Sequence, residues 1–172
     1  MISPLDILAM IQDINRSQLP IMRIRVMATD TAGNVLRQVT VGDSFFLTTY
    51  VMDLRPNAKG VFAAYFDVQY PAGLVSVTAD PVFLAPYQRV PQFNTTITGE
   101  IDEVGAATNT SNLTGAEYEF FRVPMLASAE GVANLVVNQA DQPVPQAARD
   151  LAESLGMKVS DVPDGRINYG SY

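Results

Sequence analysis

The strongest constraint on the fold is a two-residue period of apolar side chains that begins after Pro20. In segment 20–28, apolar residues alternate with arginines, namely Met22, Ile24 and Val26 against Arg23 and Arg25. In segment 61–70, one face collects Phe62, Ala64, Phe66, Val68 and Tyr70. Such alternation is typical of half-buried strands. The sequence therefore predicts a mainly β protein, arranged as an antiparallel β-sandwich of about nine strands.

Turn residues at short spacing separate further predicted strands, at 35–39, 44–54, 74–79, 99–108, 116–129 and 131–139, with a last one starting at 165. Segment 99–108 is predicted to be an edge strand, because its carboxylates would be costly inside a sheet. The proline-rich stretch 80–98 predicts a long irregular connection. Residues 143–156 predict a short helix that ends at Gly156.

Composition excludes several classes of function. The 172 residues include neither cysteine nor histidine, which removes disulfides, zinc–sulfur sites and the usual general base. The net charge is -7 and the 11 Lys+Arg are spread thinly, so a surface for nucleic acid has no electrostatic basis. No apolar run reaches the roughly 20 residues that a membrane span needs. We therefore predict a protein that is not an enzyme and has no organic cofactor.

The N-terminal residues follow a different period and predict a short amphipathic helix. Ser3 is the expected N-cap, Pro4 occupies the first helical position and Asp6 lies three residues after the cap. Helical spacing brings either Leu5, Leu8 and Ile11 or Ile7, Ile11 and Ile14 to one side. A helix of about four turns is marginal in isolation and requires a surface to pack on.

Five segments taken in order resemble a known family: "VGDSFFLTTYVMDL", "GVFAAYFDVQYPAGLVSVT", "GEIDEVGA", "YEFFRVPMLASAEGVANL" and "GRINYGS". They are similar to the cohesin-like β-sandwich modules of very large secreted or surface proteins of environmental bacteria, planctomycetes especially. The resemblance covers residues 21–172 and implies a cohesin-like jelly roll in domain 20–172. It also implies an extracellular or cell-surface location and a role in binding proteins.

The opening segment "ISPLDILAMIQDIN" resembles the second half of a dockerin type I repeat, in which a calcium loop ends in an acid in the first turn of a helix. The resemblance makes residues 1–19 a dockerin-like remnant and Asp6 a calcium ligand. Calcium takes six to eight oxygen ligands, and the others would lie before Met1, so this chain cannot complete that site. We therefore expect the stripe of Leu5, Leu8 and Ile11 to dock on protein instead.

Other polar and aromatic residues offer candidate sites with simpler alternatives. Glu100, Asp102 and Glu103 form an acidic patch that either serves glycoside chemistry or discourages edge-to-edge strand pairing. Asp67, on one strand with Tyr65 and Gln69, is expected to form either a polar binding face or a plain exposed sheet face. Tyr87 and Phe93, with Phe83, either stack on carbohydrate or pack a loop on the sandwich. The loop acids either bind calcium or form turns, and they are Asp141, Asp161 and Asp164.

The sequence thus favours a non-enzymatic extracellular module that is structural or binds protein. One form of this hypothesis is a subunit that associates with copies of itself into a surface fibre or sheath. The alternatives are a carbohydrate-binding module and a cohesin-type receptor for a dockerin partner.

Overall fold

The alternating segments form two β-sheets in the computed structural model, which describes residues 19–111, 113–157, 162 and 164–170. The predicted N-terminal helix, with Asp6 and the stripe of Leu5, Leu8 and Ile11, lies outside these residues. The strands are β1 (Met22–Thr29), β2 (Ser44–Asp53), β3 (Ala63–Gln69), β4 (Val75–Val77), β5 (Val82–Phe83), β6 (Arg89–Asn94), β7 (Glu100–Ala107), β8 (Tyr118–Ala127), β9 (Val136–Gln139) and β10 (Ile167–Gly170).

One sheet has six strands in the order β10-β1-β2-β8-β4, and β5 also pairs with β8. The other has four strands in the order β6-β7-β3-β9. The mainly β, two-sheet prediction is confirmed, with ten strands described where about nine were expected. Neighbouring strands run antiparallel except β1 and β10, which are parallel and place Met22 opposite Ile167. A C-terminal strand beside the first strand closes one side of the sandwich.

The core lies between the two sheets and is built from the residues that alternate inward. Phe66 of β3 stacks on Phe121 of β8 at 5.7 Å between ring centroids, so the aromatic residues join the sheets directly. Other fully buried side chains from both sheets include Ile24, Leu47, Val51, Val68, Ile101 and Val104. The predicted inward positions of segments 20–28 and 61–70 are therefore correct for most of their residues.

Three predictions about individual segments are wrong. Segment 99–108 is not an edge strand, because β7 lies between β6 and β3. The stretch 80–98 is not wholly irregular, because it contains β5 and β6; Pro91 is tolerated there because β6 is an edge strand. Segment 35–39 forms only a single bridge, between Val35 and Thr29, in place of the expected strand.

One α-helix is described, α1 (Gln146–Ser154), inside the predicted range 143–156, and a short 3-10 helix (Asp164–Arg166) precedes β10. Ala148 and Ala152 lie one helical turn apart and are buried on the outer face of the four-stranded sheet, against Phe62 and Ala107. No side chain caps its N-terminus, so packing on the sheet is the main source of its stability. Among the described residues, no helix has the length and apolar character needed to cross a membrane.

A buried carboxylate orders the connection between β2 and β3. Asp53 accepts hydrogen bonds from the backbone N–H groups of Lys59 (2.9 Å) and Gly60 (3.1 Å), and from the Arg55 side chain. Burial opposes ionisation of Asp53, but the hydrogen bonds from Arg55 and Lys59 outweigh it and leave its pKa below the usual value. The folded state therefore favours the ionised form of Asp53.

Replacement of Asp53 by asparagine should lower the free energy of unfolding by about 2 kcal/mol at pH 7, because one charged acceptor of several donors is lost. Since the folded-state pKa of Asp53 is depressed, its contribution is present above the usual pKa and is lost as the pH falls through the lower value. Urea unfolding at pH 7 and pH 3 measures both effects. Asp43→Asn, at an exposed turn, is the control and should change stability by under about 0.5 kcal/mol.

Candidate functional site

A row of polar side chains crosses the outer face of the four-stranded sheet. Asn94 of β6 pairs with Asp102 of β7, and Asp67 of β3 pairs with Asn138 of β9. Directly opposed residues share a face of the sheet, and Glu103 follows Asp102. We call these five residues the polar row.

A β-bulge in β7 brings two acids to one place in the polar row. Phe66 pairs with Val104, whereas Val68 pairs with Ile101, so Asp102 and Glu103 together oppose Asp67. Glu103 adopts a positive φ of 53°, and its backbone N–H donates to Asp67 Oδ1 at 2.8 Å. The bulge is what allows a central strand to carry both carboxylates.

The sequence holds a signal for this bulge that the edge-strand prediction missed. Inward residues of a regular strand are two apart, but Ile101 and Val104 are three apart and both are fully buried. The extra residue marks a place where the alternation is interrupted. The expectation of an exposed Asp67 is also wrong, since this side chain is only 5% exposed.

Three carboxylates of the polar row form a tight cluster, with one oxygen of each lying within 4.8 Å of the others. Burial, together with the charges of Glu103 and Asp102, raises the pKa of Asp67 to about 6, although the Glu103 N–H opposes this. Burial also raises the pKa of Glu103, against a hydrogen bond from the Gln142 backbone N–H at 2.6 Å. Asp102 accepts a hydrogen bond from the Asn94 amide at 3.0 Å.

This cluster has a definite chemical capacity. Carboxylate oxygens at this spacing are ligands for hard cations such as calcium, and they equally accept the N–H groups of a lysine or arginine. Asp67 and Glu103 are 5% and 7% exposed, which leaves little room for a sugar ring between them. The arrangement therefore fits a compact positive charge better than it fits glycoside chemistry.

The aromatic residues proposed for carbohydrate differ in their positions. Tyr87 is fully buried: its hydroxyl donates to the Val61 carbonyl at 2.7 Å, and its ring meets Phe120 edge-on at 4.7 Å. It therefore has no ring face to offer a sugar. Phe93 is 36% exposed, and its ring centroid lies 6.3 Å from that of Phe83. Of these two predicted site residues, only Phe93 reaches the surface.

The loop acids do not form a second cluster with one another in the described part of the chain. Asp141 is exposed and lies near Glu103, where its backbone hydrogen bond lowers the pKa of Glu103 and its charge raises it. Asp161 and the side chain of Asp164 lie outside the described residues. Of the predicted acidic patch, the structure brings Asp102 and Glu103 together with Asp67, whereas Glu100 accepts a hydrogen bond from the Gln69 side chain.

Comparison with solved structures identifies the architecture. A chain of the CaDoc0917–CaCohA2 complex, whose CaCohA2 comes from Clostridium acetobutylicum, matches with a TM-score of 0.56 at 11% identity, over 87% of this chain and 95% of that one. The seventh ScaB type I cohesin from Pseudobacteroides cellulosolvens matches with a TM-score of 0.54 at 10% identity, over 89% and 90%. The chain has a cohesin-like fold.

A third match supports the same fold. The cohesin module of a Clostridium perfringens family 33 glycoside hydrolase has a TM-score of 0.54 at 12% identity and covers 69% of this chain and 79% of that one. No family model and no curated protein matches the sequence. At these identities, the likeness concerns the cohesin-like fold alone.

The other outer face of the cohesin-like sandwich carries charges that are already paired. Arg25 of β1 donates to Glu117 at 2.9 Å and lies 5.2 Å from the ring centre of Tyr50. Arg122 of β8 forms an ion pair with Glu119. Because these groups neutralise one another, the six-stranded face has less unbalanced charge to offer a partner than the polar row does.

Proposed function

We propose that this chain is a non-enzymatic, extracellular protein-binding module of the cohesin kind, which captures a separate dockerin-like partner. The observation that carries the proposal is the fold, shared over 87% of the chain with a member of a two-protein complex. The absence of histidine and cysteine from the sequence supports a role in binding, since it removes the commonest catalytic groups.

The polar row is the face that we assign to the partner. Its three clustered carboxylates carry unbalanced negative charge, and two of them are almost buried. A lysine or arginine from the partner would satisfy these oxygens and offset the repulsion between them. The expected partner surface is therefore one with a protruding basic side chain.

Binding of purified dockerin modules to the full chain, measured by calorimetry, tests the proposed function. With a module that binds, Asp102→Lys should weaken the affinity by about ten-fold or more, because a like charge then faces the partner's basic group. The matched control is Asp43→Lys, which makes the same charge change at an exposed turn before β2. Its affinity should stay within about two-fold of the unmodified chain.

Two results would count against the proposal. A broad panel of dockerin modules with no measurable binding would remove the cohesin role. Equal losses for Asp102→Lys and Asp43→Lys would show that net charge, rather than the polar row, governs the affinity. The comparison requires that both variants fold like the unmodified protein, which equal melting temperatures would establish.

Self-association into a surface fibre is the second candidate function. Among the described strands, β4, β5 and β10 lie at the edges of one sheet, and β6 and β9 lie at the edges of the other. Strand addition by a second copy is open to such edges, although short edge strands usually limit it. Light scattering of the full chain at increasing concentration separates the two functions, since a capture module should stay monomeric.

A further inference from the structure

The edge of β4 that faces away from β8 borders an open cleft of about 400 Å³. Residues 75–80 line one wall of this cleft without interruption, and residues 95–98, in the loop between β6 and β7, line the other. Successive residues of a strand point to opposite faces of its sheet, so a cleft that touches every one of residues 75–80 runs along the strand edge. It therefore lies where a further strand would pair with β4.

Backbone groups of β4 point into this cleft. The Thr78 N–H donates to the Pro124 carbonyl of β8 at 2.9 Å. The Leu74 carbonyl accepts the Ser128 N–H at 2.7 Å. In an antiparallel pair, residues bonded to the neighbouring strand alternate with residues whose N–H and C=O turn to the other side. The N–H and C=O of Val77 consequently face the cleft, where they are available to an extended peptide.

The opposite wall is held in place by hydrogen bonds of its own. Asn94 Oδ1 accepts the N–H of Thr96 at 3.1 Å and its hydroxyl at 2.7 Å. The Ile97 carbonyl accepts the Glu100 N–H at 3.2 Å, which ties the loop to the start of β7. A second β-sheet would bring another strand about 4.8 Å behind its edge strand, in the direction of this loop. The cleft therefore suits one extended peptide better than the edge of a second copy.

The side chains around the cleft define the peptide that fits it. Val77 packs on the core side, and Ile97 adds an apolar side chain that is 40% exposed. Thr78 alternates to the other face, and the exposed carboxylate of Asp80 lies at the end of the same wall. We propose that the edge of β4 binds one extended peptide segment of a partner protein by strand addition. The fitting segment alternates small aliphatic with hydroxyl-bearing residues and carries a basic residue beside Asp80.

Amide hydrogen exchange of the full chain tests the strand addition. The probe is a synthetic peptide of alternating valine and threonine with an arginine at each end. Saturating probe should slow exchange of the Val77 N–H by about ten-fold or more, because this group gains a partner. The Thr78 N–H is already paired with β8 and should change less. The control is the same peptide with methylated backbone nitrogens, which keeps the side chains and should bind about ten-fold more weakly.

A reversal of charge tests the expected basic residue. Asp80→Lys should weaken binding of the arginine-ended probe by about five-fold and strengthen binding of the same peptide ended by glutamates. Glu153→Lys makes the same change in charge on an exposed residue of α1 and should alter both affinities by under about two-fold. Equal effects of the two variants would overturn the basic residue.

Three results would overturn the binding of a peptide at β4. They are no binding of the probe at millimolar concentration, equal binding of the methylated peptide, and unchanged exchange of the Val77 N–H. Protection of Val77 that rises with protein concentration in the absence of the probe would overturn the proposal in favour of a second copy. Because β4 and the polar row belong to different sheets, these results do not depend on the proposed dockerin-like partner.

Discussion

Replacement of Tyr87 by alanine is expected to lower the free energy of unfolding by about 3–5 kcal/mol, as for other large aromatic residues removed from a core. Tyr87 is fully buried, and its ring meets Phe120 edge-on at 4.7 Å. Its hydroxyl is also the donor to the buried Val61 carbonyl. Removal of the side chain therefore leaves both a cavity and an unsatisfied acceptor, and chemical denaturation measures the total.

Two companion variants separate the causes. Tyr87→Phe keeps the ring and removes only the hydrogen bond to Val61, so its cost should be about 1–3 kcal/mol. Phe93→Ala removes an aromatic residue that is 36% exposed and should cost less than Tyr87→Ala. Similar losses for Tyr87→Ala and Phe93→Ala would contradict the structural role assigned to Tyr87. If Tyr87→Ala costs more, as expected, Phe93 is the one of these two residues left to test for carbohydrate binding.

Replacement of Asp67 by asparagine is expected to raise the free energy of unfolding by as much as about 3 kcal/mol at pH 7. The folded protein holds the pKa of Asp67 at about 6, against an ordinary value of 3.8, through burial and the nearby carboxylates of Glu103 and Asp102. At neutral pH Asp67 is thus ionised, although the folded environment favours its protonated form. The asparagine oxygen still accepts the Glu103 N–H while the charge is absent.

The effect of Asp67 has a defined pH window. Because its folded-state pKa is raised, its contribution to stability is fully present below about pH 4 and is lost as the pH rises through about 6. The increase in the free energy of unfolding caused by Asp67→Asn should therefore develop between about pH 4 and about pH 6 and be absent at pH 3.5. Asp80→Asn, at an exposed residue, is the control and should show no such window; a constant gain for Asp67→Asn at all pH values would contradict the assignment.

Residue alternation predicts the parts of this fold that obey a single regular period. Segments 20–28 and 61–70 contain β1 and β3 with most of the expected inward residues, because burial of one face fixes the register of a strand. Phe62 is the exception and packs against α1. The apolar spacing in 143–156 likewise predicted α1. The cohesin resemblance, which rests on the five segments quoted from the sequence, agrees with the solved structures at the level of the fold.

Features that depend on distant contacts could not be read from local periodicity. The parallel pairing of β10 with β1 joins residues more than 140 positions apart, and nothing in segment 165–172 specifies its neighbour. The local sequence places Tyr87 in a loop, and only its tertiary contact with Phe120 shows that it belongs to the core. The cluster of Asp67 with Asp102 and Glu103 needed both the bulge and the pairing of β3 with β7.

Helix α1 decides which part of the four-stranded face a partner can reach. It packs over Phe62 and Ala107, which removes these apolar side chains from the surface that the proposed partner would contact. A stable interface typically takes about 800 Å² from each partner, and a helix packed beside the polar row narrows the footprint available. We therefore expect the proposed module to select partners by charge. Its affinity should fall sharply as the salt concentration rises, unless the partner also contacts the outer side of α1.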